Sequence, residues 1–199
     1  MQLAIVGLSH KTAPVEIRER LAFNDGALRR ALTSLVGRED VTEVMILSTC
    51  NRVEVVAESP DDRLIREFLC EFHQIPHDAV SKHLYSFRNA DAIRHMFRVA
   101  ASLDSMIIGE PQILGQVKEA YRIAADAGTV GMHLSALMNR AFAVAKKVRS
   151  ETGISASAVS IWKSATALLM KFSARSRAFS LSKPSVIGEA LAVSAIGGS

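Results

Sequence analysis

Ser48-Thr49-Cys50-Asn51-Arg52 is the stretch from which the fold is read. An apolar run, Val41 to Leu47, leads into it, and a β-branched run, Val53 to Ala57, leads out. Apolar runs of this length read as buried strands, and a polar pentad between two of them reads as the turn of a hairpin. A cysteine on such a turn is partly exposed and close to backbone N–H groups. Those groups and Arg52 would stabilise negative charge on the sulfur, which makes Cys50 a candidate nucleophile. Arg52 also offers a planar fork for a substrate carboxylate. The competing reading is a thiol buried as a small hydrophobe, the commoner fate of a lone cysteine after an apolar strand.

Outward from the hairpin, Leu3 to Leu8 reads as a first strand, followed by the polar loop Ser9 to Pro14. Glu16 to Phe23 and Gly26 to Val36 are helical in pattern, with Leu28, Ala31, Leu32 and Leu35 on one side. Asp61 to His73 is helical again, and His83 to Phe87 reads as a fourth strand. The order β-α-β-β-α-β is the split, ferredoxin-like unit of an α+β protein. It predicts an antiparallel sheet with helices on one face and the Cys50 turn at one end of the two middle strands. A helical subdomain follows. Asn89 is placed to cap a helix whose stripe is Ile93, Met96, Phe97 and Ala100, with His95 on the opposite side. Leu103 to Pro111 breaks the pattern, and two further helices follow, the second spanning Leu134 to Val148. Lys146, Lys147 and Arg149 sit in its last turns, where a helix end favours cations.

Composition narrows the function classes. Of 199 residues, 49% are hydrophobic and 22% charged, ordinary values for a globular protein. No apolar stretch approaches the roughly 20 residues of a membrane span. The start, Met1-Gln2-Leu3, has no basic region or cleavage site, so a cytoplasmic location with reduced thiols is expected for Cys50 and Cys70. No Cys-x-x-Cys pair marks a metal site, and none is expected. The net charge of +4 comes from the end of the chain, where Lys163, Lys171, Arg175, Arg177 and Lys183 oppose Glu189 alone. A boundary near residue 160 is therefore expected, with 161–199 as a basic, serine-rich tail. Val186-Ile187-Gly188 could begin a strand, but no Gly-x-Gly-x-x-Gly follows. Backbone N–H groups reach a pyrophosphate only through such a glycine cluster, so no complete dinucleotide site is expected in this chain.

Four motifs in fixed order carry a resemblance. They are Gly7-Leu8-Ser9-His10-Lys11-Thr12-Ala13-Pro14, then Leu47-Ser48-Thr49-Cys50-Asn51-Arg52-Val53-Glu54, then Leu103-Asp104-Ser105, and Gly109-Glu110-Pro111-Gln112-Ile113-Leu114-Gly115-Gln116. Together they resemble glutamyl-tRNA reductase, over about residues 3–160, the family's N-terminal catalytic domain. The resemblance implies NADPH-dependent reduction of glutamyl-tRNA to glutamate-1-semialdehyde, the first step of tetrapyrrole (porphyrin) biosynthesis from glutamate. It implies that Cys50 is the nucleophile of a thioester step and that His95 assists. By the same resemblance Thr49, Asn51, Arg52, Ser105, Glu110, Pro111, Gln112 and Gln116 line the glutamate site. Of these, Arg52 is the natural partner of the substrate's γ-carboxylate. His10 falls in a motif but receives no role.

The sequence departs from the family in three places. Ala101-Ser102 stands where the family usually has Ser-Gly, Phe87 replaces a polar position, and the match fades after Ser160. The family continues into a Rossmann domain for NADPH and a helical domain that forms a homodimer. The expectation is a chain cut short before both. It would form the thioester and release glutamate to water without completing the hydride step. The alternative is a non-catalytic remnant that binds tRNA or a protein partner.

Overall fold

The computed structural model describes residues 2–106 and 112–151, all within one unit, Met1–Ala156. The expected tail, Glu110, Pro111 and the boundary at residue 160 lie outside the described residues. In chain order the elements are β1 (Leu3–Ser9), α1 (Val15–Leu21), α2 (Asp25–Val36), β2 (Glu43–Ser48) and β3 (Arg52–Glu58). Then come α3 (Asp62–Phe72), the one-turn α4 (His77–Val80), β4 (Tyr85–Arg88), α5 (Asn89–Ala100), α6 (Gln112–Asp126) and α7 (Met132–Glu151). The fold is α+β, with a four-stranded sheet of order β2-β3-β1-β4 and antiparallel pairing throughout.

Local chemistry sets the boundaries. The Asn24 side chain accepts the Ala27 N–H at 2.9 Å and starts α2. Asp61 does the same for α3 through the Arg63 N–H at 2.9 Å. Asn89 makes no such cap: it opens α5 in the left-handed region, at φ 48°, with no side-chain cap bond at that end.

Two expectations about the sheet are corrected. The Cys50 hairpin joins an edge strand to an inner one, because the middle strands are β1 and β3. Helices also cover both faces. Register places Arg52, Glu54, Val56 and Glu58 on one face, opposite Ser9, Gly7, Ile5 and Leu3 of β1. On that face α5 reaches Glu54 through His95, and α7 reaches Glu58 through His133. The other face holds Ser48, whose hydroxyl accepts the Phe23 N–H from the α1–α2 link at 3.0 Å. Nearly every residue of β1, β2 and β3 is buried as a result.

The exposed margin of β2 is closed by the loop after α6. Thr129 accepts the Val44 N–H at 2.7 Å and directs its hydroxyl to the Val44 carbonyl at 2.9 Å. At the same end, the buried Glu43 carboxylate accepts the N–H groups of His133 (3.0 Å) and Leu134 (2.7 Å), which fixes the start of α7. Glu43, Glu58 and His133 form a cluster there, with the His133 ring 2.8 Å from Glu58 Oε2, and it holds the helix to the sheet.

Candidate active site

The β2–β3 turn is tied to the scaffold at almost every polar atom. The Thr49 N–H donates to the Arg52 carbonyl at 2.8 Å. The Thr49 hydroxyl oxygen accepts the N–H groups of Asn51 (3.3 Å) and Arg52 (3.1 Å), a local bond typical of threonine in turns. Arg18 Nε donates to the Cys50 carbonyl at 3.1 Å, and the His10 N–H donates to the Asn51 carbonyl at 2.8 Å. Two side chains of the turn are left without a bond among the described residues: the Asn51 amide and Cys50, a free and exposed thiol. The sequence reading of an accessible sulfur on a hairpin turn matches this geometry. Its electrostatic support does not. The turn N–H groups of residues 51 and 52 are spent on Thr49, so they are not aimed at sulfur.

Arg52 is the second correction. Its guanidinium is turned inward, 2% exposed, and closed on other partners. Nη1 donates to Glu54 Oε1 at 2.8 Å, and Nη2 donates to the Asp104 carbonyl and faces Asp104 Oδ2 at 3.5 Å. The fork expected to await a substrate carboxylate already holds two carboxylates of the protein.

Glu54 lies at the centre of this network with no exposure. Its Oε1 accepts from Arg52, from His95 Nε2 at 2.8 Å and from the Tyr85 hydroxyl, while Oε2 is buried without a partner. Burial alone would push this carboxyl up. The His95 bond, the Arg52 charge and the Tyr85 bond outweigh it and hold Glu54 below the usual carboxylate range. Burial and the Glu54 charge push the Tyr85 phenol far above its ordinary value, so it stays a donor. Asp104 also sits low: burial opposes this, but the Lys11 bond and the Arg52 charge prevail.

Gly7 makes the arrangement possible. It pairs with Glu54 on one side and Tyr85 on the other, so the three residues form a row across the sheet. A Cβ at Gly7 would lie 2.8 Å from Glu54 Cγ and 2.9 Å from Glu54 Cα. Only a missing side chain leaves room for the Glu54 carboxyl above the sheet.

His95 is buried, 7% exposed, and not on the solvent side that the apolar stripe implied. The buried face of α5 is Ala92, His95, Met96, Val99 and Ala100, rotated from the expected stripe. Phe87 stacks on the His95 ring with centroids 4.4 Å apart, which gives that departure from the family a role in holding the imidazole. An ionised carboxylate can only accept, so Nε2 donates to Glu54 and Nδ1 is left as the free valence.

His95 and Asp104 line a cavity of about 460 Å³, with Lys11, Phe87, Arg94 and Arg98 among its other walls. Its size is that of a small-molecule site. Lys11 pairs with Asp104 and Arg94 with Asp91, while Arg98 has no ion pair among the described residues. His10 stands beside the Cys50 turn with its Nδ1 buried and unpartnered. Burial, joined by the charges of Arg52 and Lys11, holds His10 below its ordinary value, so it is neutral at pH 7.

Of the remaining sequence candidates, Thr49 and Asn51 belong to the turn, and Ser105 is half-buried next to Asp104. Gln112 is exposed at the start of α6. Gln116 is one turn further on, in a cleft with Ser48 of the hairpin. Sequence reasoning missed Glu54, Tyr85 and Asp104 as site residues. A single acid inside the β-branched run from Val53 to Ala57 was the available signal for Glu54.

A family model described as the N-terminal domain of glutamyl-tRNA(Glu) reductase matches residues 6–152. The chain belongs to the glutamyl-tRNA reductase family. A glutamyl-tRNA reductase from Pelobacter propionicus is 50% identical over 175 residues, covering 86% of this chain and 40% of that protein. One from Syntrophotalea carbinolica is 51% identical over 178 residues, with the same coverage of 86% and 40%. The solved glutamyl-tRNA reductase from Methanopyrus kandleri superimposes with a TM-score of 0.64 at 38% identity, covering 75% of this chain and 35% of that one. The chain thus spans about 40% of the length of the curated glutamyl-tRNA reductases it matches. No helix among the described residues is long and apolar enough to cross a membrane.

Proposed function

We propose that the described domain takes the glutamyl group from glutamyl-tRNA onto Cys50 as a thioester, the opening half of the family's reduction to glutamate-1-semialdehyde. The observation that carries this reading is the exposed thiol on a turn held in place by its Thr49 hydroxyl and its carbonyls, next to a buried Arg52–Glu54–His95 network. The sulfur attacks the ester carbonyl, the bond to the ribose oxygen breaks, and the tRNA leaves with a proton on that oxygen. His95, oriented by Glu54 as a base is oriented by a carboxylate in a triad, is the group assigned to move that proton through Nδ1. The substrate's γ-carboxylate enters a cavity whose cations are Lys11, Arg94 and Arg98. Arg52 serves the site indirectly, by holding Glu54 and the Asp104 loop. Cytoplasmic action belongs to the same reading, as does the family's homodimer in a longer chain.

Reduction of the thioester requires a hydride, which NADPH supplies in the family. The described residues do not fit that cofactor. Gly7 lies within a strand and Gly115 within a helix, and no glycine-rich turn joins a strand to a helix to cradle a pyrophosphate. The hydride step is therefore not assigned to them. Without it, water cleaves the thioester, releasing glutamate and restoring the thiol.

The test is incubation with tRNA charged with labelled glutamate, followed by an acid quench. Label should stay on the protein, be released by hydroxylamine, and be absent from Cys50→Ser. tRNA binding with no label on the parent chain would refute the reading and favour a non-catalytic RNA-binding domain. His95→Asn should slow labelling by about 10²- to 10⁴-fold with tRNA binding unchanged.

A further inference from the structure

A second basic site lies away from the cavity that His95 lines. Lys118 of α6 and Lys146 and Arg149 of α7 line a groove of about 650 Å³, with Leu114, Phe142 and Ala143 as its apolar walls. The Lys118 ammonium lies 5.7 Å from the centre of the Phe142 ring. Among the described residues no carboxylate lines the groove, and none of the three cations forms an ion pair. Unpaired cations occur elsewhere on the described surface, Arg29 and Lys82 among them, but here three of them share one groove with an aromatic wall.

The helix dipole accounts for part of this pattern only. Lys146 and Arg149 sit near the C-terminal end of α7, where the dipole favours positive charge. Lys118 lies in the N-terminal half of α6, where it does not. Two helices thus bring into one groove three cations with no ion pair among the described residues, one of them over a half-buried aromatic ring. That combination suits a nucleic-acid strand, with phosphates on the cations and a base against the ring.

Position connects this groove to the thiol. Leu114 and Lys118 face the groove from one flank of α6, while Gly115, Gln116 and Glu119 border a cleft with Ser48 on the other. Ser48 is two residues from Cys50. A helix with its side chains is roughly 10–12 Å across. A stacked strand advances about 3.4 Å along its axis per phosphate, so that distance corresponds to roughly three nucleotides of stacked strand. We infer that the α6–α7 groove binds the phosphates of an RNA strand a few nucleotides before the 3′ end that reaches Cys50. The inference rests on the reading of the chain as one that acts on an acyl-tRNA.

The experiment uses the full chain and the triple variant Lys118→Ala, Lys146→Ala, Arg149→Ala, with Arg122→Ala as the control. Binding of uncharged tRNA is followed by anisotropy across potassium chloride concentrations. Three lost phosphate contacts should flatten the plot of log K against log salt by about 2, at roughly 0.7 per contact on a single strand. Affinity near 0.1 M salt should fall at least tenfold, and Arg122→Ala should match the parent. A charge-keeping variant, Lys118→Arg with Lys146→Arg and Arg149→Lys, should restore the slope, which separates lost contacts from lost folding. An unchanged slope in the alanine variant, or polyglutamate competing as well as RNA, would overturn the inference. Labelling of Cys50 by a small activated ester of glutamate, with no RNA attached, reads the catalytic proposal separately. It should be equal in parent and variant, and its absence from the parent would sink the thioester step while leaving the groove to stand on the salt slope.

Discussion

Replacing Glu54 by glutamine keeps the shape of the buried network and removes its charge. Arg52 Nη1, His95 Nε2 and the Tyr85 hydroxyl all converge on Glu54 Oε1. The neutral amide leaves a guanidinium of 2% exposure with Asp104 as its remaining counter-ion. Removing one partner of a buried pair costs about 3–5 kcal/mol. Asp104 still offsets part of the Arg52 charge, so the lower end applies, about 3 kcal/mol at pH 7. That corresponds to roughly a hundredfold rise in the unfolded fraction and, in a chain of this size, a fall in Tm of about 6–12 °C. Urea unfolding followed by far-UV circular dichroism measures it. The pH dependence has a defined sign. The folded-state pKa of Glu54 is lowered from 4.5, so its contribution is complete above about that pH and is lost as pH falls through the folded value. The gap between parent and variant should be full at pH 7 and narrow steadily below pH 4.5. A gap under about 0.5 kcal/mol at pH 7, the size of an ordinary surface substitution, would refute the view that this carboxylate organises the site. So would a gap that ignores pH.

Three other substitutions probe the scaffold. Gly7→Ala places a methyl against Glu54 and the neighbouring strand, and should cost about 3 kcal/mol in urea unfolding, because β1 cannot shift without losing its pairing to β3. Ser102 is buried and held in the left-handed region at φ 63°, which a β-branched residue adopts least readily, so Ser102→Val should cost at least about 1–2 kcal/mol. Equal Tm values for parent and variant would contradict that account. Glu43→Ala leaves the first N–H groups of α7 without their acceptor and should cost about 1–2 kcal/mol, seen as faster amide exchange at His133 and Leu134 than at mid-helix positions.

The elements of the sheet were legible because each strand is a short apolar run bounded by turn residues, and the β-α-β-β-α-β order carries the topology with it. Which strand lies at the edge is not written in periodicity, since β1, β2 and β3 are all buried on both faces. The Cys50 turn was legible for the same local reason: a polar pentad interrupts two apolar runs. What escaped was long-range. His95 looked like a solvent residue because its partner, Glu54, lies 41 residues earlier in the chain. Arg52 looked free because Asp104 lies 52 residues later; its other carboxylate, Glu54, lies two residues on, on the same face of β3, and was there to be read. Local patterns register apolar faces well. They do not register a polar group that becomes buried only once a distant charge arrives to neutralise it.

The Thr129 clamp on Val44 has a consequence for assembly. A sheet whose one rim is latched shut can grow sideways only from the other, and here that rim is the four-residue β4. Any strand donated by a neighbouring molecule would have to run alongside Tyr85 and Phe87, two walls of the cavity that holds His95. Lateral self-association and access to that cavity therefore compete for the same ground, and crowded conditions that promote strand exchange should slow the proposed acylation of Cys50 before they produce visible aggregate.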